Sequence, residues 1–424
     1  MIYNSTIQSN NLYRVSFIDW DGTLLQESYV NKGTNLTPPT VTPSRSFLQF
    51  DSWNKTSYNN VSHNTDVGIN YVIIDSENGN SVNTMDVLEV EINPNLLTPF
   101  IGVYINSGSV TIDWGDGTTD TSSVGGQNTI TKSIPYPSGG DYTIKVRGTG
   151  QWNLGYLSLA NYSLFGDATS NFKGILKYAF VRTDLNPYVF YREHIRGVVL
   201  AHNGVTSISD FSFSYSTLYS LTLPSSIISL TATQSITGLV CMKYIIFPST
   251  FTTIAGNLTL YRQYKVKSLD FTTDGPMTII SAGALVQPSL EYLYIKDNSV
   301  TSNFGSETLA DYCNSDASIK IPEGCTGSGS NLFRRSRLKL YDLPSTFATF
   351  GNTSFGNCER TFNLIVRRTT PPTITSTAFP GVANLSSITK IYVPDANVDA
   401  YKTAIYWSTY AAFIYPLSQY KSIK

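Results

Sequence analysis

Hydrophobic residues recur as couplets along the middle of the chain: Leu221/Leu223, Ile245/Phe247, Leu269/Phe271 and Leu293/Ile295, at a constant step of 24. Apolar residues two apart lie on the same face of a short strand. A constant step of this length marks a coil that cannot bury that face alone, so successive coils must stack. The pattern predicts a β-solenoid. It continues more loosely to Val198/Leu200, a step of 23 upstream, and to Ile319 and Leu343 at further steps of 24. Leu223-Pro224-Ser225, Phe247-Pro248-Ser249-Thr250-Phe251 and Leu343-Pro344-Ser345-Thr346-Phe347 place a proline just after three of the strands. Proline cannot donate to a ladder, so the strand ends and the chain turns at the same point of each coil. Before the solenoid the period is two: Val87, Glu89 and Glu91 alternate with Leu88, Val90 and Ile92, followed by strand patterns at Val110–Trp114 and Tyr142–Val146. Such alternation predicts half-buried strands of a sandwich over 86–148. At the other end, Val398, Tyr401 and Ile405 have helical spacing and predict a short amphipathic helix over 397–404, shielding the open edge of the last coil.

Composition sharpens this all-β picture. Charged residues are 14% of the 424, against about 25% in an average soluble protein, with Ser, Thr, Asn and Tyr making up the difference. The net charge of −1 offers no electrostatic footprint for nucleic acid or an anionic membrane, and neither is expected as a main partner. No apolar run is long enough to span a membrane.

The couplet, Pro-Ser, then an Ile or Phe two to three residues on, resembles the BspA-like leucine-rich repeats of bacterial surface proteins. Ile391-Tyr392-Val393-Pro394-Asp395, then Val398, Ala400, Tyr401, Trp407, Tyr410 and Tyr415-Pro416-Leu417, is similar to the terminal segment of that family. The family's Asn-Ala-Phe helix phrase is blurred here, as in Ser209-Asp210-Phe211-Ser212-Phe213, which implies short or irregular back-sides to the coils. Residues 13–72, with Val15-Ser16-Phe17, Asp19-Trp20-Asp21-Gly22-Thr23, Pro38-Pro39, Phe50-Asp51-Ser52-Trp53 and Asp66–Tyr71, resemble the internalin B-repeat, also called the Listeria–Bacteroides repeat. That resemblance implies a small β-grasp-like module without an active site. Trp114-Gly115-Asp116-Gly117-Thr118 followed by Gly140-Asp141-Tyr142-Thr143-Ile144 resembles a PKD domain, implying an immunoglobulin-like sandwich. The expected organisation is an N-terminal arm at 1–12, the internalin B-repeat-like module at 13–75, the PKD-like sandwich at 76–150, the BspA-like solenoid at 151–385 and a C-terminal cap at 386–424.

Candidate chemistry does not survive inspection. Asp19-Trp20-Asp21-Gly22-Thr23 matches the aspartate loop of haloacid-dehalogenase phosphatases, and Gly115-Asp116-Gly117-Thr118-Thr119-Asp120 fits the later metal loop. The chain between them contains Pro38, Pro39 and Pro43 and lacks the helical runs that parallel strands require. Asp-Gly-Thr between apolar alternations is better read as a tight turn, and Asp113, Asp116 and Asp120 as turn-shaping acids or, at most, a weak cation site. Cys241, Cys313, Cys325 and Cys358 lack metal-binding spacing, and His63, His194 and His202 do not fall near them. The cysteines are expected as small buried residues, with a Cys313–Cys325 bridge left open. His194 with Glu193, and Arg334-Arg335, are read as solvated or capped. Of 28 tyrosines, Tyr215, Tyr219, Tyr261, Tyr264, Tyr292 and Tyr294 cluster in the solenoid. They either pack between coils or offer stacking faces to sugar rings or a protein. No catalytic, cofactor-binding or metal residue is assigned, no cofactor is expected, and the binding residues are left open.

The modules that the chain resembles are displayed outside bacteria, whereas the first ten residues carry neither the basic start nor the apolar stretch of a signal peptide. The expectation drawn from both is a non-enzymatic virion protein of a Bacteroides-type (crAss-like) tailed phage. It would be a tail-fibre or head-appendage subunit, with other virion proteins and a host-surface protein or glycan as partners, and with homo-oligomerisation open. In that reading residues 1–12 or the first module dock to the particle, the sandwich is a spacer and the solenoid face meets the host. The alternative is a bacterial cell-surface adhesin of the BspA-like type.

Overall fold

The computed structural model describes residues 2–4, 12–43, 45–74, 85–92, 94–95, 97–154, 176–180, 184–185, 195–202, 204–272, 274–279, 283–286, 288–297, 303–309, 317–358, 361–379 and 388–420. The chain is mainly β with a β-solenoid, and among the described residues its one α-helix is Val398–Thr403.

Coil stacking follows the sequence period. Leu221 sits opposite Ile245 in the parallel pair Ser220–Thr222 with Tyr244–Ile246, and Leu269 opposite Leu293 in Ser268–Phe271 with Tyr292–Ile295. A second ladder runs along another side of the coil, through Ser229–Leu230, Thr253–Ile254 and Thr278–Ile279. The prolines act as expected, since Ile227, Phe251 and Phe347 donate their N–H to the carbonyls of Pro224, Pro248 and Pro344. Two later coils are shorter than the expected period, and the one from Leu364 to Ile391 is longer. Ile319 pairs with Tyr341, and Leu343 with Val366. Leu343 therefore corresponds to Ile321 and not to Ile319, because the chain tightens there to a step of 22.

Among the described residues the coil backs are not helices. They are paired turns in which Phe211, Gln234, Leu258, Gly283, Glu307 and Asn331 take positive φ at the same place in successive coils. Left-handed backbone is costly for residues other than glycine. Here it is held by a ladder between coils, as in Phe213 N–H to Ser235 O, Ile236 to Thr259 and Leu260 to Ala284.

Upstream, Thr119–Ser122, Ser109–Asp113, Gly140–Thr149, Met85–Ile92, Leu176–Phe180 and Ile195–Leu200 form one six-stranded sheet. Gly126–Thr131, Phe100–Ile105 and Trp152–Leu154 form a three-stranded one. Leu176–Phe180 is antiparallel to Met85–Ile92 and parallel to Ile195–Leu200. Strand pairing thus runs across position 150, where a module boundary is expected, and one apolar cluster extends unbroken from Leu88 to Ile414. The residues at 86–148 are consequently no free spacer.

Residues 13–74 form two small sheets, Leu24–Val30, Tyr13–Ile18 and Thr65–Val67 in one, Leu48–Trp53 and Ile69–Ile73 in the other. The described part contains no helix. Trp20, Tyr71 and Ile73 share a cluster with Val87, Val199 and Ala201, so this module is packed on both later parts of the chain. Within the expected N-terminal arm, Ile2–Asn4 pairs antiparallel with Ala317–Lys320 in the solenoid.

At the C-terminus the helix carries Tyr401 into the core, whereas Ile405, expected on its buried face, is 79% exposed. The helix ends at Thr403 and Ala404 is extended, so Ile405 no longer lies on the helical face that carries Tyr401 inward. Trp407, 1% exposed, closes the coil instead and donates its indole N–H to Pro372 O at 2.7 Å.

Candidate binding surface

The strands of a solenoid present alternate side chains outward, which makes that face the first place to seek a binding site. Over the coils from 197 to 294 the N-terminal module occupies it. A Cβ on Gly68 would lie 2.5 Å from Thr222 Cγ2, and one on Gly22 2.7 Å from Tyr219 Cδ1. Asn54 Nδ2 donates to Leu223 O at 3.3 Å, and Asn70 Nδ2 to Ser225 Oγ at 2.9 Å.

Beneath this contact lies a buried polar hub. Lys55 and Asp270 are 2% and 4% exposed, with Nζ 2.9 Å from Oδ2 and 3.1 Å from the Asp270 carbonyl. Thr65 Oγ1 donates to Oδ2, and His63 Nε2 stands 3.3 Å from Oδ1. The His63 ring stacks on Tyr294, centroids 3.7 Å apart, and Thr272 Oγ1 is 2.6 Å from its Nε2. Burial alone would raise the Asp270 pKa, but Lys55 and His63, with hydrogen bonds from His63 and Thr272, hold the carboxyl well below the usual carboxylate range. Lys, His and Asp together invite a catalytic reading. Here the carboxylate is buried and closed in by Lys55, Thr65, Thr272 and His63, so the group serves as a clamp between module and solenoid.

The two Asp-Gly-Thr phrases form the same turn in separate hairpins. Asp19 N–H donates to Thr23 O at 2.9 Å and Trp114 N–H to Thr118 O at 3.1 Å, with Gly22 and Gly117 both at φ 87°. Only glycine adopts that backbone without strain. Asp19 Oδ1 accepts the Tyr71 hydroxyl at 2.8 Å; Asp116 pairs with buried Lys132 at 2.8 Å, and Asp120 accepts the Trp114 indole N–H at 2.8 Å. These acids are tied to protein donors in different sheets, and the phosphatase constellation does not assemble. Among the described residues no group of three His, Cys, Asp or Glu side chains is arranged to hold a metal ion.

Cys325 and Cys358 are buried and Cys241 half-buried; Cys313, His194 and Glu193 lie outside the described residues, and with Cys313 the question of its bridge to Cys325. Burial pushes the Cys325 thiol up to about 11 and that of Cys358 up to about 12. Thiolate is the reactive form. Ellman's reagent is therefore expected to modify Cys241 in the native protein, and Cys325 and Cys358 only after unfolding, as read by peptide mass spectrometry. Prompt native labelling of Cys358 would mean that its coil stands open.

An exposed strip on these coils is the edge between the back turns and the strands. Tyr215, Tyr219 and Tyr264 are 48%, 38% and 47% exposed there, and Tyr244 and Tyr261 half-buried. The remaining two of the sequence cluster, Tyr292 and Tyr294, lie instead on the strand face near His63. Tyrosine thus divides between the two readings open in the sequence, some packing against the clamp and some facing water. Lys55 and His63 were invisible as functional positions because their partners, Asp270, Thr272 and Tyr294, lie in a distant part of the chain.

The family described as BspA type Leucine rich repeat region matches in six copies, over residues 183–311 and 278–410. Among solved structures, a leucine-rich repeat protein from Bacteroides ovatus ATCC 8483 aligns at 15% identity and a TM-score of 0.35, over 52% of this chain and 58% of that one. The pneumococcal vaccine antigen PcpA aligns at 11% identity and a TM-score of 0.31, over 57% of this chain and 77% of that one. No curated protein matches.

Proposed function

Because this chain belongs to the BspA-type leucine-rich repeat proteins, we propose that it is a non-enzymatic binding protein displayed on a bacterial surface, an adhesin in function. The repeat array is the observation that carries this reading, since stacked coils build an extended surface whose exposed edge is rich in tyrosine. The resemblances of 13–72 to an internalin B-repeat and of 86–148 to a PKD domain support it, both being modules of surface-displayed proteins. Binding by such a surface draws on many modest contacts that add when copies are displayed together.

The virion reading, a tail-fibre or head-appendage subunit of a Bacteroides-type phage, would use the same surface at a different address. Its docking arm is the weaker part, since Ile2–Asn4 is engaged with the strand Ala317–Lys320. The module at 13–74, its other docking candidate, is packed on the solenoid.

Fractionation of the producing culture separates these. The protein is expected in the cell envelope, where protease added to intact cells removes it. Recovery in purified phage particles at a fixed ratio to the capsid protein would replace the adhesin with the virion subunit. Recovery in the cytosol alone would overturn both.

A further inference from the structure

The net charge of −1 conceals a local asymmetry. Residues 211–269 contain no Asp or Glu, and their four cations, Lys243, Arg262, Lys265 and Lys267, all fall in its second half. Coil stacking gathers them. Lys243 N–H donates to Tyr219 O and Glu291 N–H to Lys267 O, both at 2.8 Å. A row on the edge therefore runs Tyr219, Lys243, Lys267, Glu291, one residue from each coil. Arg262 lies in a second row beside it, reached from Tyr215 through Gly238 by the bonds Tyr215 N–H to Thr237 O and Gly238 N–H to Tyr261 O. With strands about 4.8 Å apart, the three coils that carry Tyr219, Lys243 and Arg262 place these groups within roughly 10 Å along the solenoid.

The cations are held against aromatic rings. Lys243 Nζ lies 4.8 Å from the Tyr244 ring centroid, and the Arg262 guanidinium 4.7 Å from that of Tyr261. Tyr219 and Tyr244 meet edge to face at 6.3 Å. The tyrosines are seated by glycine: a Cβ on Gly238 would lie 2.7 Å from Tyr215 Cδ1. A larger residue at 238 would push that ring off the surface. The only acid in the first row, Glu291, is already paired with Lys267 at 2.7 Å. Lys243 and Arg262 are left as pre-positioned positive groups on the half-buried rings of Tyr244 and Tyr261, on the edge that also carries the exposed Tyr215 and Tyr219.

We propose that this edge binds an acidic polysaccharide, with Lys243 and Arg262 pairing with carboxylate or sulfate groups and Tyr215, Tyr219 and Tyr261 packing against sugar rings. The chemistry selects that class. Cations alone would accept any polyanion, and tyrosines alone any sugar face, whereas cations seated beside tyrosine rings match a polymer that carries flat apolar ring faces together with fixed negative charge. The assignment deepens the reading of the chain as a surface binding protein and rests on it.

The test uses the purified full chain and four immobilised polymers: polygalacturonate, heparin, dextran as a neutral sugar and polyglutamate as an acidic peptide. Binding is expected to polygalacturonate or heparin, to weaken as salt is raised, and to exceed that to dextran and polyglutamate. Lys243→Ala with Arg262→Ala is expected to weaken it at least about tenfold, and Tyr219→Ala with Tyr261→Ala comparably, a scale usual for central contacts. Unchanged thermal unfolding of each variant shows that the fold is intact; where it changes, Lys243→Gln with Arg262→Gln replaces it. The proposal is overturned by binding to neither acidic polysaccharide, by equal binding to dextran or polyglutamate, or by variants that bind as the parent does. A protein found in the cell envelope that ignores all four polymers would overturn this assignment and leave the adhesin standing.

Discussion

Replacing Asp270 with alanine is expected to lower the unfolding free energy by roughly 3–5 kcal/mol, the usual cost of leaving a buried charge without its partner. Lys55 is the charge left behind: its ammonium keeps the Asp270 carbonyl as acceptor, and the residue is buried. Urea unfolding of the two proteins at neutral pH measures the difference. The double variant Lys55→Met with Asp270→Leu is expected to recover much of the loss, because a packed apolar pair avoids desolvating two ions. Equal losses in single and double variants would mean that packing, and not the uncompensated charge, sets the cost. The pH dependence has a definite sign. The Asp270 pKa is depressed in the folded protein and lies near 3.9 in the unfolded chain. Its contribution is therefore fully present above about pH 4 and declines as the pH falls below that toward the folded value. The gap between the parent and Asp270→Asn is expected to narrow from pH 5 to pH 3.

Trp407→Ala is expected to cost about 3–5 kcal/mol, in line with other buried tryptophan truncations. The indole is 1% exposed, donates to Pro372 O, and meets Tyr401 edge to face at 5.3 Å, with Phe350 and Phe379 at 6.2 and 6.1 Å. A solenoid is stabilised by neighbour contacts, so damage at its end should spread inward from there. Hydrogen exchange is expected to quicken first in Ile388–Val393, then in Phe362–Val366, while Ser220–Thr222 keeps parental protection. Uniform loss across all three strands would mean that the solenoid opens as one unit.

The sequence shows most plainly what is periodic or local. Regularly spaced couplets give the solenoid, Pro224, Pro248 and Pro344 give its turns, and Gly22 and Gly117 mark two identical hairpin loops. Each depends on residues close together in the chain or repeated along it. What it hides is long-range and unrepeated. Lys55 meets Asp270 with no pattern to announce the pair, and nothing in Ile2–Asn4 identifies Ala317–Lys320 as its partner. The continuity of sandwich and solenoid depends on Leu176–Phe180, a strand with no counterpart in either pattern. Ile405 shows the limit of helical spacing, which fixes a face only where the helix continues. The binding edge was half legible. Tyr215, Tyr219, Tyr261 and Tyr264 stand out by composition, but only coil register shows that Lys243 and Arg262 stand among them, and only the docked module shows that the strand face of the coils from 197 to 294 is closed.

That closure decides which surface is free to bind, and a crosslink tests it most directly. Gly68 and Thr222 face each other across the contact, a Cβ at 68 falling 3.2 Å from Thr222 Cβ, near the separation a disulfide requires. In the variant Gly68→Cys with Thr222→Cys, mild oxidation is expected to form the 68–222 bridge within single molecules in near-quantitative yield, read by peptide mass spectrometry and gel mobility. A protein in which residues 68 and 222 stay reduced, or bridge only between molecules, would show the strand face open and contradict the closed arrangement.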